Sequence, residues 1–74
     1  MNNAQKMAII IIKLAKEKGV SVNKLVLESG AGKGLLDRMK IGQEPSITKL
    51  IHVADYFDVS LDYLTGRSDN PQRL

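Results

Sequence analysis

Apolar residues recur along this chain at helical spacing, and no stretch alternates long enough to make a strand. Met7, Ile11, Leu14 and Lys18 share one face, with Ile10 and Ala15 beside it, which predicts a first helix from about Ala4 to Lys18. Asn2 or Asn3 would open it and Gly19 close it. At one hundred degrees per residue Ile9 falls among Lys6, Lys13 and Lys16 on the solvent side, and Ile12 at the boundary. A single exposed isoleucine is ordinary, whereas Ile9 with Ile12 could join a self-association surface if the patch were larger.

Ser21 supplies the next start signal, with Val20 placed to staple onto Leu25, so a second helix spans about Val22 to Ser29 with Leu25 and Val26 inward. Gly30 stops it. A third helix is expected over about Lys33 to Lys40, with Leu36 and Met39 on its inner face. Gly34 inside it would cost about 1 kcal/mol relative to alanine. Two readings of that glycine stand: close backbone approach to a ligand, or a helix that stays soft until bound. Ile41 to Pro45 reads as a loop. From Ser46, Ile47, Leu50, Ala54 and Phe57 form a fourth amphipathic stripe that Asp58 ends. Ser60 caps a short fifth helix with Val59 and Leu64 as its staple and Gly66 as its stop. The expected organisation is all-α: a five-helix domain over residues 1–67 and a polar tail over 68–74.

Seventy-four residues are near the lower limit for a chain that buries its own core, and with no cysteine neither a disulfide nor a thiolate metal site can help. The longest apolar run, Met7 to Ile12, is too short for a membrane span and poor as a signal-peptide core, so a cytoplasmic protein is expected. Lys6, Lys13 and Lys16 opposite an Ile-rich face suggest a membrane-surface helix only weakly, since that face is needed for the core and carries no Trp or Phe. Charge is uneven. Residues 1–43 hold eight Lys/Arg against three Asp/Glu, or +5, and residues 44–74 three against five, or −2, which sum to +3. Positive charge thus gathers around the second and third helices, as a polyanion partner would require.

Two helices joined by a glycine-centred turn form a helix-turn-helix, whose second helix can lie in a DNA major groove. The residues that carry a resemblance are KEKGVS before the second helix, the glycine turn, GQEPS, LIHVADYFDVS and the closing LDYLTGRSDNP. Together they resemble the phage-repressor, Cro-like or XRE-type helix-turn-helix family over nearly everything from Met7 to Pro71. The resemblance implies a compact five-helix, lambda-repressor-like domain that binds double-stranded operator DNA, usually as a homodimer on a two-fold site, and a prophage-type repressor in particular. The sequence departs from that family where Val22 stands for a phosphate-bonding glutamine, and where Gly32 and Gly34 stand for polar side chains that reach DNA. Val26 replaces a usual alanine, and Ser29 and Ala31 replace larger apolar residues, changes that partly offset in volume.

Base reading needs long donors near the start of the reading helix and one turn on. Lys33 and Arg38 fit, and both match base-contacting positions of the family; the Arg38 fork could bind guanine O6 and N7. Gly34 could admit close backbone approach, Leu35 could touch a thymine methyl group, and Asp37 could accept from cytosine N4. Ser21, Asn23, Lys40 and Gln43 are candidates for phosphate contacts, which position without reading sequence. For the charged residues the alternative is a solvated face.

Other chemistry finds little support. Gly30 to Gly34 looks like a phosphate-cradling loop, but no strand precedes it and the nucleotide-binding spacings are missing. His52 is the only histidine, with no thiolate to share a metal, and no nucleophile–base–orienter set appears, so neither an enzyme nor a bound cofactor or metal is expected. The competing function is a protein-interaction module on the same scaffold, antirepressor- or antitoxin-like, which the glycines, Val22 in place of the glutamine, and Ile9 favour. Dimer contacts are expected from the fifth helix with Tyr63 and Arg67–Leu74, or from Ile9.

Overall fold

In the computed structural model, which describes residues 2–72, helix α1 runs Asn3–Lys18. Asn2 is its N-cap: the Asn2 side chain accepts from the Gln5 backbone N–H, and Gln5 Oε1 accepts from the Asn2 N–H, each at 3.0 Å. Together they satisfy two of the backbone donors that a helix start leaves open. Helices α2 (Val22–Ser29), α3 (Leu35–Lys40), α4 (Ile47–Phe57) and α5 (Leu61–Leu64) follow, and no strand occurs among the described residues. Serines 21, 46 and 60 cap α2, α4 and α5 through bonds to the N–H groups of Lys24, Lys49 and Tyr63. The radius of gyration, 10.9 Å, matches the value of about 11 Å for a packed chain of this length. Over the described residues the chain is an all-α, five-helix domain. No helix among the described residues is long and apolar enough to cross a membrane.

The core draws on every helix. Ile11 of α1, Leu25 of α2, Leu35 and Met39 of α3, Val53 of α4 and Leu64 of α5 are the largest enclosed side chains, and no polar or charged residue is buried among those described. Val20 packs partly buried against this cluster, and Val59 and Leu64 both belong to it. Along α4 the inward stripe differs from the one expected. Leu50, Val53 and Ala54 are buried, Phe57 only partly so, and Ile47 is 61% exposed. A face centred between Leu50 and Val53 leaves Ile47 about 90° off at helical pitch.

Helix three is shorter than expected: Lys33 and Gly34 lie in the turn before it. Gly34 is its N-cap in the left-handed conformation, φ 81°, which a helix cannot continue through. The penalty for an interior glycine therefore does not apply.

Tyr56 joins three helices at the rim. Its hydroxyl donates to Glu28 at 2.6 Å, the Lys18 ammonium sits 5.1 Å from its ring centroid, and its ring meets Phe57 edge-on at 5.2 Å. The hydrogen bond to Glu28, then partial loss of solvent, then the Glu28 charge raise the Tyr56 phenol above its ordinary 10.0. Because the folded value is raised, the stabilisation is full below pH 10.0 and disappears as pH climbs through the raised value. Alkaline titration followed by tyrosinate absorbance should show Tyr56 ionising late, and Glu28→Ala should bring that step down. An unchanged titration curve in the variant would mean the bond is not formed in solution.

After α5 the chain turns back. The Asp62 carbonyl accepts from the N–H groups of Arg67 at 2.8 Å and Ser68 at 3.2 Å, and the Ser60 N–H donates to the Pro71 carbonyl at 3.1 Å. Part of the segment expected as a polar tail, 68–74, is thus tied to the start of α5. Arg73 and Leu74, included in the expected tail and its dimer contacts, lie outside the described residues, as does Met1.

Candidate nucleic-acid interface

The connection from α2 to α3 is built from glycines. Gly30, Gly32 and Gly34 all take positive φ, at 81°, 93° and 81°, and between the first two Ala31 is buried. Ser29 Oγ accepts from the Ala31 N–H at 3.2 Å, and the Gly32 N–H donates to the Val26 carbonyl at 3.1 Å. Anchored this way, the turn throws Lys33 outward and delivers Leu35, Leu36 and Met39 into the core. Leu35, a candidate for a thymine methyl contact, is only 2% exposed, so its side chain is not available to a duplex. A six-residue helix that buries positions 35, 36 and 39 turns a wide face inward and leaves Asp37, Arg38 and Lys40 for solvent.

The candidates other than Leu35 fall into four places. Lys33, Gly34, Asp37 and Asn23 line a depression between α2 and the start of α3, together with Val22 and Leu27. Arg38 and Gln43 line a second one toward the start of α4. Gly34 links the two: a Cβ added there would lie 3.4 Å from Arg38 Nη1, so the guanidinium folds back toward the end of α3 where Lys33 stands. Lys40 is set apart, at an apolar depression with Ala8, Ile9 and Ile12 of α1. Ser21 is exposed at the start of α2, its hydroxyl engaged as the cap.

Ser46 and Lys49 also line the depression that holds Arg38 and Gln43, and neither figures among the residues expected from the sequence. A signal for Lys49 was present. It occupies the first turn of α4, as Lys24 does in α2, and neither first turn holds an acidic residue. Cations there oppose the positive end of the helix dipole, so their placement suits an outside anion better than it suits the helix. Lys49 and Arg38 thus present positive charge in one depression beside α3. His52 is exposed beside Gly30, and no group of three metal-ligating side chains gathers among the described residues.

No family model, curated protein or solved structure matches this chain.

Proposed function

We propose that the protein is a sequence-specific DNA-binding transcriptional regulator, a repressor of prophage type acting as a homodimer on a two-fold operator in the cytoplasm. One observation carries the reading. On α3 and its leading turn the apolar side chains all point inward, while Lys33, Asp37 and Arg38 are exposed, with Asn23, Gln43 and Lys49 beside them. The resemblance of the sequence to phage-repressor helix-turn-helix proteins supports it. Arg38 and Lys33 read bases, Asp37 tunes the choice, and Ser21, Asn23, Lys40, Gln43 and Lys49 hold phosphates. One such helix sees only a few base pairs, so two copies on half-sites about one helical turn apart supply the specificity.

A protein-interaction module is the second reading. Leu27, 62% exposed, and Val22 at 36% border the same depression as Lys33 and Asp37, which gives that surface an apolar margin a protein could use.

Anisotropy titration of pooled random duplex against salt separates them. On random duplex, which offers no preferred base, Lys33 and Arg38 fall on phosphates as Lys40 and Lys49 do, and counterion release at all four should give a log–log slope of about −3 to −4 per protomer, at about −0.9 for each cation. A flat response, or no binding at low salt, would transfer the assignment to the interaction module.

A further inference from the structure

The last turn of α3 leaves carbonyls without partners inside the helix. Three find backbone or side-chain donors nearby: the Gln43 N–H reaches Arg38 O at 2.9 Å, the Gly42 N–H reaches Met39 O at 3.0 Å, and Gln5 Nε2 reaches Lys40 O at 3.1 Å. Just past the helix, Asn2 Nδ2 donates to Gly42 O at 2.8 Å. Two of these donors belong to the capping box of α1, about forty residues away in sequence. Each carboxamide therefore works at both ends. Its oxygen accepts from the first N–H groups of α1, and its nitrogen donates to carbonyls at the end of α3. Only Asn and Gln offer an acceptor and two donors on one planar group.

The opposite end of α3 has no such anchor. Its N-cap, Gly34, makes no side-chain cap bond, and the chain before it runs through left-handed glycines. Gly42 completes the fit: at φ 92°, a Cβ there would come within 2.7 Å of Asn2 Nδ2. A side chain at 42 would push the Asn2 amide away.

We propose that Asn2 and Gln5 are positioning residues that set the angle at which α3 meets its target, by clamping the carboxy-terminal end of that helix to the start of α1. The proposal rests on the assignment of α3 as the DNA-reading helix. The clamp would hold Arg38 in register while the glycine-led end settles against bases.

The test separates the clamp from the cap. Asn2→Ser and Asn2→Asp keep an oxygen that can cap α1, and Gln5→Glu keeps the acceptor for the Asn2 N–H; the two carboxylates cannot donate, and the serine hydroxyl, held at the cap, has no second polar atom to reach Gly42 O. In the full chain, amide exchange over Arg38 to Lys40 should quicken about tenfold in each variant with α5 unchanged, since only the local opening of α3 becomes easier. On a duplex selected from random DNA, discrimination against single-base changes should fall about three- to tenfold. Affinity of Asn2→Ser for random duplex should stay within about twofold, because no phosphate contact is removed. A merely structural role would instead lower the melting temperature and weaken all duplexes alike. Unchanged discrimination, in a parent that binds DNA, overturns the proposal, and so does unchanged exchange in α3. If the parent shows no salt-dependent DNA binding, the assignment of function fails first. The clamp is then decided by exchange alone: acceleration confined to α3 upholds it and none refutes it.

Discussion

Met39→Ala is expected to lower the unfolding free energy by about 2–5 kcal/mol, as truncation of a wholly enclosed methionine does. For 74 residues the whole stability is on the order of 4–11 kcal/mol, so one side chain would remove a large part of it. The melting temperature should drop by about 10–30 °C. Met39 is the last core contact of α3, and α3 has only six residues, too few to persist without packing. Phe57→Ala should cost less than the sequence suggests, since Phe57 is only partly buried at the edge of the core. A melting curve for Met39→Ala within about two degrees of the parent, or a larger loss at Phe57, would contradict the packing described here.

Arg38→Ala should weaken binding to a selected operator by about 1–3 kcal/mol and relax preference at one base position, the signature of a lost two-pronged contact to guanine. Lys49→Ala should behave differently: a roughly uniform loss on all duplexes and a salt slope shallower by about one. Selection from random DNA with each variant reads both effects. If Arg38→Ala recovers the parent's consensus at the parent's affinity, Arg38 does not read bases.

Helix ends were the most legible part of the sequence. Ser21, Ser46 and Ser60 each cap the helix expected of them, and α2 spans Val22–Ser29 as its cap and glycine stop dictate. These signals are local: one side chain bonds one N–H, and the residue type reports it. The start of α3 was not legible because no Ser, Thr, Asp or Asn stands before it to mark a cap, and a penalty of about 1 kcal/mol for an interior glycine is small enough for packing to override. Only tertiary placement, with Ala31 and Leu35 both buried, decides for the cap. Leu35 was misplaced because Leu36 and Met39 alone set the expected inner face; at one hundred degrees per residue Leu35 lies about 40° from Met39, so the buried stripe takes it in as well. Ile47 shows a further limit. Spacing proposes a stripe, but the elements lying over it fix where along the helix that stripe begins, and here it begins at Leu50.

For the candidate interface, charge and residue type pointed to Lys33 and Arg38, and both are exposed near one end of α3. Lys49 was missed because it is remote in sequence from the helix-turn-helix and joins Arg38 only through the fold. Asn2 and Gln5 were legible as a cap for α1 but not as donors to α3, since a side-chain amide's second partner leaves no mark on local spacing.

The glycine run between α2 and α3 has a consequence for how this protein could diversify. Its backbone visits the hand disfavoured for L-amino acids at alternate positions, 30, 32 and 34, so drift at those three sites is closed to nearly every side chain. Lys33 sits between two of them with its own side chain in solvent, where packing sets no limit on size or charge. Three constrained positions therefore frame a freely replaceable one, and a lineage could retarget the molecule by changing a single codon while the path of the chain stays as it is.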